Sequence, residues 1–206
     1  MFTIIKSRAL FTLLAALAIS GDALSQTNKP VTDYLNVPGP ILFENKAFNL
    51  NWSSHPAANF YKHEYIVKGD LTEKYTSMIL LDVVTGQENI KDVVSAKVAE
   101  LKKMKEVNPV INYEVISNPT TGEYIINFLL TANSPDGKNI SIVERNVYRY
   151  KLVTGKSGQK SILLFGVSTR GYGEGVDKFF ASLKANRKDL INKVAQFKLP
   201  EIAIKK

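Results

Sequence analysis

The sequence of 206 residues contains no cysteine, two histidines and one tryptophan. The lack of cysteine excludes a disulfide-stapled scaffold, a thiolate zinc site, a cysteine nucleophile and a lipid-modified lipobox. The two histidines, His55 and His63, argue against a catalytic metal, which usually takes three convergent protein ligands. No apolar run beyond the N-terminal segment approaches the ~18 residues of a membrane-spanning helix. Acid is scarcer than base: 27 Lys and Arg stand against 19 Asp and Glu, for a formal net charge of +8. With 45% hydrophobic and 22% charged residues, the composition is that of an ordinary globular protein.

What is present begins with an address. Lys6 and Arg8 precede the apolar stretch Ala9 to Ile19, and Ser20-Gly21-Asp22 breaks it. Ala23 and Ser25 then set small residues three and one before a cut ahead of Gln26. This secretory pattern predicts a signal peptide over residues 1–25 and a periplasmic or extracellular mature chain without a transmembrane segment. An exported chain without disulfides must rest on a full hydrophobic core, and the mature length suits one domain. The setting it suggests is the bacterial envelope.

Residues 26–40 (QTNKPVTDYLNVPGP) read as an extended leader, and residues 41–200 as a single domain followed by a basic tail at 201–206. Within the domain, Phe48, Leu50 and Trp52 alternate with Asn49 and Asn51, as on one face of a half-buried strand. Tyr61 to Val67 alternates likewise, and Thr76 to Val84 is almost wholly apolar, as in a strand covered on both faces. The period then changes: Ile90, Val94, Val98, Leu101 and Met104 predict a helix over 89–106, capped by Asn89 and stopped by Asn108-Pro109. Four strands follow, over 110–117, 123–131, 140–153 and 161–168, with Glu144, Arg145, Arg149 and Lys151 expected to face water. The stripe Val176, Phe179, Phe180, Leu183, Leu190, Ile191, Val194 and Phe197 predicts one long closing helix. The fold class is α+β, a twisted antiparallel sheet flanked by two main helices in the order β-β-β-α-β-β-β-β-α.

The opening Phe48-x-Leu50-x-Trp52 strand with its His55-Pro56 turn, taken with this order of elements, resembles the PsbP-like superfamily of small α/β/α-sandwich domains. The resemblance spans roughly residues 40–200 in topology, and residues 48–56 carry it locally. Those domains open with a short aromatic strand ending in a Pro-and-Trp turn and close with a long C-terminal helix. In this chain Trp52 precedes Pro56, where the superfamily's order is Pro-x-x-Trp. Its members include photosystem accessory subunits, a nuclear-import factor and periplasmic proteins. The resemblance implies a largely non-catalytic, partner-binding domain, and it transfers no catalytic residue because the superfamily shares none.

Candidate chemistry is sparse. His63 and Glu64 point to opposite faces of a strand and cannot chelate one ion together, so no metal site and no cofactor are expected. Ser53-Ser54-His55 forms no nucleophile–base pair by adjacency alone, and no G-x-S-x-G or H-E-x-x-H occurs. Asp82, inside an apolar strand, is the carboxylate expected to have a perturbed pKa, in an outward or hydrogen-bonded position. Thr169-Arg170-Gly171-Tyr172-Gly173-Glu174-Gly175 reads as a glycine-rich connection into a helix N-terminus. Its Arg170, Gly171, Tyr172 and Gly173, with Tyr148 and Tyr150 as adaptable contact area, are the expected binding surface. Residues 184–206 hold seven basic residues against Asp189 and Glu201, yet aromatic interleaving is thin, which argues against nucleic acid. The expectation is a non-enzymatic envelope domain engaging a protein or envelope partner. The alternative is a carrier of a small apolar ligand or lipid between the sheet and the C-terminal helix.

Overall fold

The computed structural model describes residues 31–86, 89–155 and 158–204. The expected signal peptide, the leader residues before Val31 and the tail residues Lys205 and Lys206 lie outside them. The strands are β1 (Ile41–Phe43), β2 (Lys46–Ala57), β3 (Phe60–Val67), β4 (Ser77–Thr85), β5 (Asn112–Asn118), β6 (Glu123–Asn133), β7 (Ile140–Thr154) and β8 (Lys160–Tyr172). The helices are α1 (Ile90–Val107), α2 (Gly175–Ala185) and α3 (Arg187–Gln196). All eight strands form one antiparallel sheet in the order β1-β2-β3-β4-β8-β7-β6-β5. Two four-stranded meanders therefore meet where the last strand pairs with β4, the nearly all-apolar strand expected to be central.

Strand alternation divides the core into two clusters, one on each face. Ile79, Leu81 and Val83 of β4 join Leu163, Phe165 and Val167 of β8 on one face, where α3 adds Leu190, Ile191 and Val194. Met78 and Leu80 join Ile162, Tyr148, Tyr150, Ile126 and Phe128 on the other, where α1 adds Ile90, Val94 and Leu101. This double burial is why β4 and β8 read as continuous apolar runs rather than as alternating ones. Helix α1 begins as its sequence predicts, with the Asn89 side chain accepting from the Lys91 N–H at 2.9 Å.

Four features depart from the sequence reading. A short first strand precedes the expected three, closed by a two-residue turn in which Glu44 and Asn45 both take positive φ (49° and 61°). That is the geometry of a primed hairpin turn, normally signalled by Asn-Gly, and Glu-Asn carries no such signal. Next, a bulge at Asn51 turns Trp52 to the face opposite Leu50: Leu50 pairs with Tyr65, whereas Trp52 pairs with Glu64 and remains 40% exposed. Third, the closing helix is two helices divided at Asn186 (φ −122°, ψ 35°), whose N–H bonds Ser182 O and whose carbonyl receives the Asp189 N–H. Because Leu183 and Leu190 are seven residues apart, the apolar stripe keeps its phase across the break and hides it.

The fourth departure concerns the chain ends. Leu35 and Val37, within the expected leader, are buried in the α3-side core, and so is Ile202 of the expected tail. The Ala203 N–H bonds Leu35 O at 2.9 Å, so leader and tail pin each other. The imidazole of His63, fully buried, accepts the Tyr34 N–H at Nε2 (3.1 Å) and faces the Tyr65 hydroxyl at Nδ1 (3.0 Å). Tyr65 in turn donates to Val37 O at 2.7 Å. Among the described residues, no helix is long and apolar enough to cross a membrane.

Candidate functional site

Residues 170–172 are not a loop. The last strand runs through Tyr172, so Arg170, Gly171 and Tyr172 occupy ladder positions opposite Glu144, Val143 and Ile142. The Arg170 guanidinium lies over the Tyr75 ring at 4.1 Å, donates Nε–H to Glu144 and reaches Glu73 O. Tyr75 donates to Glu144 Oε2 at 2.8 Å, and Tyr172 donates to Tyr75 O at 2.8 Å. Glu144 also accepts from Asn146. These contacts close the segment around Tyr75 over one end of the sheet, and the Arg170 charge is already committed there.

The remaining expected site residues divide further. Gly171 faces the opposite side, beneath Phe179 of α2. Gly173 (φ 49°) makes the turn into that helix, its N–H bonded to Ser141 O. Tyr148 and Tyr150 are buried in the α1-side core, Tyr148 edge-on to Phe128 with ring centroids 4.9 Å apart. They offer no exposed contact area, because even positions of β7 point under α1. His55 stacks on Tyr61 at 4.1 Å, away from the Arg170 cluster's strands. Among the described residues, no group of three or more His, Asp or Glu is placed to hold a metal ion.

Asp82 points inward, not outward. Its Oδ2 lies 4.0 Å from Lys62 Nζ, and its buried Oδ1 has no hydrogen-bond partner. Burial pushes its carboxyl up to about 7, against the attraction of Lys62 and with added repulsion from Glu64. Burial likewise raises Glu64, opposed by Lys62 and Arg170.

The site that pattern reading missed lies on the other face, on β7. Arg145 and Arg149, expected to face water, are both buried there on either side of Val147. Four residues apart on a strand, they point the same way and hold the two ends of α3. Arg149 donates to Val194 O and Phe197 O at the C-terminal end, at 3.2 and 2.9 Å. Arg145 donates to Arg187 O at the N-terminal end, and its Nε–H goes to Asn127 Oδ1 at 3.1 Å. A charged strand residue at alternate spacing reads as solvent-facing, and only the tertiary position of α3 reverses that reading.

Beside Arg145 opens a cleft of about 420 Å³. Its floor comes from Asn112 and Glu114 of β5, Asn127 and Leu129 of β6, and Arg145; its roof is Phe180, Leu183 and Lys184 of α2. Asn112, Leu129 and Arg145 are direct cross-strand partners and so form one row of the floor. The apolar stripe of α2 is incompletely used: Val176 is buried, whereas Phe179, Phe180 and Leu183 are half-buried. At the mouth, Glu114 is engaged by Arg187 at 3.0 Å. A second depression, about 430 Å³, runs between α1 and the β5–β6 pair, lined by Val94, Val98, Val115 and Tyr124 with lysines at its rim. It has no buried polar group comparable to Arg145.

A family model matches residues 35–199, from the buried Leu35 to Leu199 beyond the last helix, and the chain belongs to that family. No curated protein matches the chain.

Proposed function

We propose that the chain is an exported, non-enzymatic binding domain of the bacterial envelope, and that its binding site is the cleft between α2 and the β5–β7 floor. One observation carries this reading: a space of about 420 Å³ walled by half-buried Phe180 and Leu183 and floored by the buried Arg145. Concave, mostly apolar sites of this size with a few convergent polar groups are the usual form of small-ligand pockets. The reading favours the carrier of a small ligand over a protein-docking role at Arg170, whose charge is spent on Glu144 and Tyr75. Export rests on the Lys6–Ser25 pattern. Placement of the family within the PsbP-like superfamily belongs to the same proposal, supported by a central antiparallel sheet with helices contributing to the core on both faces.

The test is native mass spectrometry of the mature protein purified gently from the envelope of its own host. A retained small molecule, lost from a Phe180→Trp variant that fills the cleft, is the expected result. A clean mass with a co-purifying protein would return the function to a partner-docking surface.

A further inference from the structure

Arg145 and Arg149 are matched in place and duty but not in partners. Arg149 has a carboxylate: its Nε–H bonds Glu123 Oε2 at 2.9 Å, and burial of Glu123 is outweighed by its bonds to Arg149 and Lys151, which hold its carboxyl below the ordinary range. Arg145, 6% exposed, has only the neutral acceptors Asn127 Oδ1 and Arg187 O. Among the described residues no carboxylate contacts it: Asp189 and Glu114 attract it only from a distance, against repulsion from Arg187, and their close partners are Lys193 and Arg187. A buried guanidinium without a contacting counter-ion is costly, and a partner of opposite charge at hydrogen-bond distance offsets that cost. Where the counter-ion would lie there is the cleft, with Lys184 on its roof and Arg187 at its mouth.

We infer that the cleft takes a small acidic amphiphile, a monocarboxylate with an apolar body, whose carboxylate is the missing counter-ion of Arg145. With Nε–H on Asn127 and one Nη2–H on Arg187 O, the remaining Nη hydrogens of the guanidinium would donate to the carboxylate, and the apolar body lies between Leu129 and the Phe180–Leu183 edge of α2. This assignment rests on the cleft being the binding site.

The experiment is calorimetric titration of the full mature chain with octanoate and, separately, with methyl octanoate, which has the same body and no charge. Octanoate is expected to bind about 10- to 100-fold more tightly than the ester, as charge-assisted hydrogen bonds allow. Arg145→Gln is expected to abolish that preference, and Phe180→Ala to weaken both ligands alike. Equal affinities for acid and ester would overturn the carboxylate assignment and leave the cleft standing. Binding of neither would overturn the cleft itself. Should Arg145→Gln fail to fold, the acid-against-ester comparison on the natural chain decides alone.

Discussion

Gly171 and Phe179 are in direct contact: a methyl group on Gly171 would lie 2.9 Å from Phe179 Cβ and 3.1 Å from its ring. The glycine is required by space, since it sits in regular strand geometry under α2. Gly171→Ala is therefore expected to lift the start of α2 from the sheet and destabilise the fold by about 1–3 kcal/mol, measured by urea denaturation. Because α2 roofs the cleft, ligand affinity should change with it, whereas at Gly173, in the exposed turn, a methyl would meet no atom within 4 Å and its cost would come from the positive φ alone.

Removing the α3 clamp should show which charges matter. Arg149→Met strips the buried one of two cations from Glu123 and frees the carbonyls of Val194 and Phe197, with an expected loss of about 3–5 kcal/mol. Lys151→Ala removes the second cation on the same Glu123, but Lys151 is 41% exposed, and the expected loss is under about 1 kcal/mol. Thermal melts of the two variants side by side check the contrast, and equal effects would contradict it.

Asp82 sets a pH dependence with a definite sign. Its ordinary value is 3.8, and burial raises it to about 7 in the folded chain. Between those values the folded state keeps a proton that the unfolded state has released, so this group's contribution to stability falls as pH rises through the window. Asp82→Asn mimics the protonated form. The variant is expected to match the natural chain near pH 4 and to exceed it by about 1–3 kcal/mol at pH 8. Denaturation curves at the two pH values test this, and a gap that widens toward acid would refute it.

The buried His63 fixes its own tautomer. Because Nε2 accepts the Tyr34 N–H, the proton resides on Nδ1, facing the Tyr65 hydroxyl. Nitrogen NMR at neutral pH should report a protonated Nδ1 and an unprotonated Nε2. His63→Phe should cost about 1–3 kcal/mol and speed hydrogen exchange at Tyr34, since its N–H loses the acceptor.

The parts of the fold legible in the sequence are those fixed by local chemistry. The Asn89 cap, the positive-φ glycines Gly122 and Gly137 in their hairpin turns and the doubly buried run of β4 all announce themselves in residue type. What stayed hidden depends on contacts distant in the chain. Trp52 changes face because of one unpaired residue, Asn51, which no periodicity marks. The pairing of the last strand with β4 is a meeting of two meanders separated by α1. The residues expected to form one binding surface are separated for the same reason. Glycine and arginine at 170–173 advertise a loop, but the strand runs through Tyr172 and only Gly173 turns, while Tyr148 and Tyr150 lie under α1. Arg145, by contrast, looks like any solvated strand arginine until α3 covers it. The surviving signal was the unspent part of the closing apolar stripe, Phe180 and Leu183, whose half-burial opens the cleft.

The most direct test of the account is an NMR titration of the mature chain with octanoate, following backbone amides and leucine and valine methyls. Saturable shifts are expected to concentrate at Asn127, Leu129, Phe180, Leu183 and Arg187, around the Arg145 floor and the α2 roof. Shifts centred instead on Val94, Val98 and Val115 under α1, or none at all, would contradict it.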